Sequence, residues 1–199
     1  MTKVVIGMSM SLDGIAGPKT ADADGMAIFN AVLGWVFHLR SWREQQGQDG
    51  GEDSVDSQVW AEEFARFGPQ VIGRTMFEYG YPNWGENPPF HAPVFVLTHR
   101  GQNRIDKSGS TSYTFVTGGI EAAIQQASAA AGAKDVLLAG GVSIAQQALA
   151  AGLVDEVVLH VSPVVLGRGI PLFGASQVSL RCTRAIHGEG AVHLRYDVQ

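Results

Sequence analysis

Short apolar runs alternate along this chain with stretches whose apolar positions recur at helical spacing. Lys3 to Met10 is β-rich and apolar and predicts a first, buried strand. "SLDGIAGP", Ser11 to Pro18, holds two glycines and a proline and predicts a loop. From Met26 to Trp42 the spacing predicts a helix with Phe29, Val32, Leu33 and Val36 on one face, Phe37 and Arg40 following. Glu44 to Ser57 is polar, acidic and Gly-rich. It reads as a mobile acidic surface loop (residues 44–57) inside one domain, because too little chain precedes it to fold alone. Trp60, Phe64 and Phe67 resume helical spacing until Gly68–Pro69 stops it.

Strands and helices then alternate regularly. "QVIG", "PVFVLT", "YTFVT" and "DVLLAGG" predict strands. "RTMFEYG" opens a helical turn; Ile120, Ala123, Ile124 and Ala127 form a helical stripe; "SIAQQALAAG" predicts a helix closed by a left-handed Gly152. "DEVVLHVSPVVLG" predicts one long strand or a bent pair. "SLRCTRAIHGEGAVHLRYDV" predicts a hairpin turning at Gly188–Glu189–Gly190. This order implies an α/β fold: a mainly parallel central sheet with helices on both faces, and an antiparallel C-terminal hairpin.

Composition narrows the function. A chain of 199 residues supports one domain with a sizeable core, and 45% hydrophobic with 17% charged residues is ordinary for a soluble globular protein. The net charge of −5, without any Lys/Arg run, argues against nucleic acid as a partner but leaves room for a local basic pocket. The single cysteine, Cys182, rules out an intrachain disulfide; its strand-like neighbours predict a buried structural thiol. The N-terminal apolar run is too short for a signal peptide or membrane span, which makes a cytoplasmic protein with no membrane partner the expectation. The six histidines form no H-E-x-x-H or H-x-H pattern, so no metal site is expected. Neither a G-x-S-x-G elbow nor a G-x-x-x-x-G-K-[ST] loop occurs.

Ligands of open α/β sheets bind beyond the carboxyl ends of the strands, and four such ends carry suggestive residues. In "VIGRTMFE", Gly73 lets the backbone turn, Arg74 adds positive charge, and Thr75 with Glu78 has capping-box spacing. In "FVLTHR", Thr98, His99 and Arg100 offer a hydroxyl and a guanidinium suited to a phosphate monoester. In "LLAGGVS", Gly140 and Gly141 allow close approach of a pyrophosphate to the backbone before the next helix starts. In "SMSLDGIAG", Asp13 sits in a flexible loop where it can orient a substrate or relay a proton. Each motif by itself also fits a plain capped helix or polar turn. "TGG", Thr117 to Gly119, fits a plain helix cap.

The order of these motifs, with "DVLLAGGVSIAQQAL" and "LVDEVVLHVSPVVLGRGIPLF", resembles the dihydrofolate reductase-like superfamily. The branch that it resembles holds the reductase domain of bacterial riboflavin biosynthesis and its stand-alone relatives. The likeness spans nearly the whole chain. It implies a dihydrofolate reductase-like three-layer fold and NADPH as hydride donor to a small-molecule substrate. It assigns Arg74 and Thr75 to the cofactor's phosphates, and Thr98, His99 and Arg100 to the adenosine side with its 2′-phosphate; Gly73, at the turn before Arg74, is a further expected cofactor contact. Gly140, Gly141, Val142 and Ser143 fall along the pyrophosphate and nicotinamide ribose, and Ile15, Ala16 and Gly17 in the loop covering the nicotinamide. Relatives are often homodimers. The riboflavin enzymes commonly carry an acidic residue before the glycine pair, where this chain has Ala139, and no zinc-deaminase signature is present. The helix from Met26 to Trp42 lacks Asp and Glu, which argues against folate reduction. Asp13, Trp35 and Arg168 are the expected substrate contacts, with Asp13 a candidate proton source. A flavin-binding reductase and a non-catalytic NADPH-binding module are the alternatives.

Overall fold

A computed structural model describes every residue except Met1, Ala21, Ala175 and Ser176. The chain runs β1 (Val4–Ser11), β2 (Ile15–Gly17), α1 (Ala23–Leu33), a 3-10 segment (Gly34–His38), α2 (Arg40–Gln45) and α3 (Val55–Arg66). There follow β3 (Phe67–Gly73), α4 (Arg74–Trp84), β4 (Pro93–Leu97), β5 (Ile105–Asp106), β6 (Ser112–Val116), α5 (Gly119–Ala130), β7 (Asp135–Gly140) and α6 (Val142–Ala150). β8 (Glu156–Ser162), β9 (Ile170–Pro171), β10 (Leu180–His187) and β11 (Val192–Val198) complete it. The chain divides into two compact units: Met1–Ile6 with Arg66–Asp155, and Gly7–Ala65 with Glu156–Gln199.

The first unit is built on a mainly parallel sheet in the order β1-β7-β3-β4-β6-β5, with β5 antiparallel to β6. Its central strands are continuous apolar runs because both faces are covered; Val5, Ile6, Val71, Ile72, Val94, Val96 and Val136 are fully buried. α5 buries the expected stripe of Ile120, Ala123, Ile124 and Ala127. α6 ends as expected. Gly152 takes φ +66, Leu153 N–H donates to the Ala148 carbonyl and Gly152 N–H to that of Leu149, a Schellman closure. β3 starts earlier than expected and takes in Gly68–Pro69. Its register with β7 shifts between Phe67 and Gln70, around the proline that has no N–H to give.

The second unit holds the antiparallel order β10-β11-β8, and the closing hairpin turns where expected. Other expectations change. The helix expected from Met26 to Trp42 is three pieces. It starts at Ala23, where the Asp22 side chain caps the Gly25 N–H, and it tightens at Gly34. Leu39 is extended beside Glu52, so the chain must restart as α2. The buried face is Gly25, Ile28 and Val32, while Phe29 is partly exposed. α2 and α3 take up both ends of the acidic segment. Its middle is bonded through Arg40 N–H to the Glu52 carbonyl, Glu52 N–H to the His38 carbonyl, and Arg43 Nε to the Asp49 carbonyl. Ser11–Pro18 is not wholly loop, since β2 pairs with β9. β8 ends at Ser162, before Pro163, in place of the long strand. Cys182 is exposed on β10, not buried, because β10 presents most of its side chains to solvent. Among the described residues no helix is long and apolar enough to cross a membrane.

Candidate functional site

The first unit gathers one group of expected residues at neighbouring strand ends. Ile72 lies opposite Gly140, and Gly73 opposite Leu97, so the carboxyl ends of β7, β3 and β4 come side by side. β3 passes straight into α4 with Gly73 as N-cap, and β7 into α6 with Gly141 as N-cap at φ +80. No side chain caps either helix. The two turns touch backbone to backbone: a Cβ on Gly141 would lie 3.4 Å from the Cα and N of Gly73. One on Gly140 would lie 2.2 Å from Met76 Sδ. Two helix starts, each with the partial positive charge of a helix N-terminus and no side-chain cap, therefore sit together, with Ile144 packed beside both glycines. Helix starts of this kind attract anions.

Around it, Arg74 donates Nε to Glu78 at 2.8 Å and Nη1 to Gln102 at 3.1 Å. Its guanidinium lies 5.6 Å from the centre of the Phe77 ring and 5.5 Å from that of Phe115. The cation is thus held at the strand end. Thr75 and Glu78 do not form the expected capping box; Gly73 is the N-cap and Glu78 pairs with Arg74 one turn back. Thr98 is buried and its Oγ1 accepts the Arg100 N–H at 3.1 Å, which tightens the turn and leaves His99 and Arg100 exposed. Val142 is buried in the first turn of α6, and exposed Ser143 accepts a bond from Gln147. The segment Thr117 to Gly119 lies at the start of α5, where a plain helix cap is expected. At the end of β6, α5 also begins on a glycine pair without a side-chain cap, with Gly118 as N-cap and Gly119 at φ +88.

The second unit holds the other expected residues. Asp13 accepts the Ser11 hydroxyl at 2.6 Å, Leu166 N–H at 3.0 Å and Gly167 N–H at 2.7 Å. The Ser11 bond, then the two backbone bonds, lower its pKa to about 2. A carboxyl so held is ionised at neutral pH and ties down the loop at Leu166–Gly167. Ile15, Ala16 and Gly17 form β2. Trp35 donates Nε1 to Ser9 Oγ at 3.2 Å and packs on the rings of His160 and His193. Arg168 pairs with Asp24 at 3.1 Å beside a shallow hollow that Lys19, Thr20 and Ile28 also line. Because α1 starts three residues before Met26, it carries Asp24 in its first turn. The expectation of an acid-free helix is thereby corrected. Among the described residues no three His, Cys, Asp or Glu side chains are grouped to hold a metal ion.

The parallel strands, the helices that follow them and the antiparallel closing hairpin define an α/β fold of the dihydrofolate reductase-like class. The model of the RibD C-terminal domain family matches residues 2–194, and the chain belongs to that family. It is 33% identical over 185 residues to the uncharacterized protein YyaP of Bacillus subtilis, covering 86% of this chain and 80% of that one. A putative riboflavin biosynthesis protein from Shewanella sp. PV-4 has the same fold, with a TM-score of 0.69 and 22% identity over 100% of this chain and 99% of that one. The Thermotoga maritima diaminohydroxyphosphoribosylaminopyrimidine deaminase/5-amino-6-(5-phosphoribosylamino)uracil reductase matches with a TM-score of 0.62 at 12% identity. All of this chain is covered, and 57% of that one.

Proposed function

We propose that the protein is an NADPH-dependent reductase acting on a small substrate, similar to 5-amino-6-(5-phosphoribosylamino)uracil reductase. The observation that carries this reading is the pair of uncapped helix starts meeting at Gly73 and Gly141. The residues fit the cofactor: two helix starts without a side-chain cap, one of them opening on Arg74, suit the negative charge of its phosphates. NADPH, when bound, supplies the hydride. In this reading Gly73, Arg74, Thr75, Gly140, Gly141, Val142 and Ser143 bind its phosphates and ribose. Thr98, His99 and Arg100 take the 2′-phosphate, which neighbours an exposed guanidinium. Ile15, Ala16 and Gly17 cover the nicotinamide, and Trp35 and Arg168 serve the substrate. Asp13 also orients the substrate, and the proton that accompanies the hydride is relayed by Asp13 or by a held water. Ala139 in place of the acid common in riboflavin enzymes favours a different substrate of related chemistry, a pyrimidine, a pterin, or an imine or carbonyl compound. A homodimer in the cytoplasm belongs to the same reading.

Thermal melts with NADPH, NADH and FMN test it. NADPH is expected to raise the Tm in a concentration-dependent way. A shift with FMN and none with NADPH overturns the reading. Arg100→Ala is expected to weaken NADPH roughly 10- to 100-fold and NADH little, as for loss of a charge-assisted phosphate contact. Equal losses for both would remove Arg100 from the 2′-phosphate.

A further inference from the structure

Two histidines that are 33 positions apart in sequence meet in the second unit. His160 on β8 lies directly opposite His193 on β11. Their rings meet Nδ1 to Nδ1 at 2.7 Å. The far nitrogen of each ring faces a carboxylate from α3: His193 Nε2 lies 2.7 Å from Asp56 Oδ1, and His160 Nε2 lies 3.1 Å from Glu63 Oε2. Asp56 and Glu63 stand two turns apart on one helix face, which matches the span of the two rings. Asp56 Oδ2 also accepts the N–H groups of Glu189 and Gly190 in the hairpin turn. All four residues are buried, and Trp35 covers both rings, with centroid distances of 5.1 and 5.2 Å.

The geometry fixes a proton count. Each of the three contacts joins two nitrogen or oxygen atoms that repel as bare lone pairs and attract only with one proton between them. Two neutral imidazoles bring two N–H protons. The chain needs three. An imidazole is more basic than a carboxylate, and the two carboxylates at the ends of the chain favour a cation between them, so the third belongs to the imidazole pair. Both Nε2 atoms donate to the carboxylates, and one proton is shared between the two Nδ1 atoms. A fourth proton would set N–H against N–H on that axis. The lowered pKa of His193, from burial and then from the charge of His160, agrees with resistance to it. Other charges around the chain are already matched: Arg184 and Arg195 pair with Glu62, and Arg195 also with Glu156.

We propose that Asp56, His193, His160 and Glu63 form a latch, locked by one shared proton, that fastens α3 to β8 and to the β10–β11 turn. It is closed near neutral pH and loosens on both sides, when the shared proton leaves or a further one arrives. Ring 15N shifts of the labelled wild-type protein near pH 7 test the count. Three protonated nitrogens out of the four on His160 and His193 are expected; two or four would overturn it. Amide exchange at Glu189 and Gly190 tests the latch. Protection corrected for intrinsic rates is expected to fall at least about tenfold toward both about pH 5 and about pH 9. A flat profile would overturn it. Glu63→Gln keeps an acceptor for His160 but removes the charge that holds the proton. It is expected to move the alkaline fall about one pH unit lower, and an unmoved fall overturns the shared-proton assignment. If the variant fails to fold, the two wild-type measurements still decide.

Discussion

Three helix starts of the first unit and three turns of the second treat their backbone donors in opposite ways. In the first, α4, α5 and α6 all begin on glycine, and no side chain fills their first N–H groups. In the second, carboxylates fill three sets of such donors: Asp22 caps α1, Asp13 takes the N–H groups of Leu166 and Gly167, and Asp56 those of Glu189 and Gly190. A donor meant for a ligand has to be left open by the protein itself, whereas a donor that holds the fold is best closed by an internal acid. Glycine at a helix start and aspartate in a turn are both common turn residues. What separates them here is whether anything answers the N–H.

Breaking the closed side should have the largest effect. Asp56→Ala leaves His193 and two N–H groups without their buried acceptor and should cost about 3–5 kcal/mol, read by urea unfolding. A loss below about 1 kcal/mol would mean that solvent or another group replaces it. Next comes the open side. Gly141→Val places a β-branched side chain at φ +80, against the backbone of Gly73, and should cost about 1–3 kcal/mol while weakening NADPH more than about 100-fold. NADPH affinity unchanged in a folded variant would move the cofactor elsewhere. A smaller effect follows from pH. Below about 6.5 the unfolded chain protonates both histidines while His193 in the fold resists, so the unfolded state binds more protons and stability falls as pH falls. Urea midpoints from about pH 7 to about pH 5 should trace this, and His193→Gln should flatten it. The smallest is local. Asp13→Ala should raise amide exchange at Leu166 and Gly167 about tenfold with the Tm almost unchanged. In the wild type the same loosening should appear only as pH falls from about 4 toward 2, because the carboxylate is held that low.

Most of the first unit was legible because its signals are local. A parallel strand buried on both faces is a bare apolar run, and the α5 stripe obeys helical spacing to the residue. Gly73, Thr98–Arg100 and Gly140–Gly141 each follow such a run directly, so their adjacency comes from strand order alone. The second unit was harder for the opposite reason. Its decisive contacts join distant segments: His160 to His193, Asp13 to Gly167, Ile15 to Pro171. No short motif announces them, and searches for H-x-H miss two histidines that meet only across a strand register. The helix break at Leu39 depends on Glu52, which no periodicity over Met26–Trp42 contains. Cys182 was misread because an edge strand and a central strand can have the same composition.

Neither unit is continuous in sequence, and the order of synthesis follows from that. Residues 7–65 of the second unit leave the ribosome before residues 66–155 of the first, and their partners at 156–199 come last. At about 5–20 residues per second the early segment waits for seconds. During that wait α3 carries Asp56 and Glu63 bare, hydrated and charged, on the face that the finished protein hides. The same two acids that clasp the histidines at the end keep that face from being a sticky apolar stripe at the beginning.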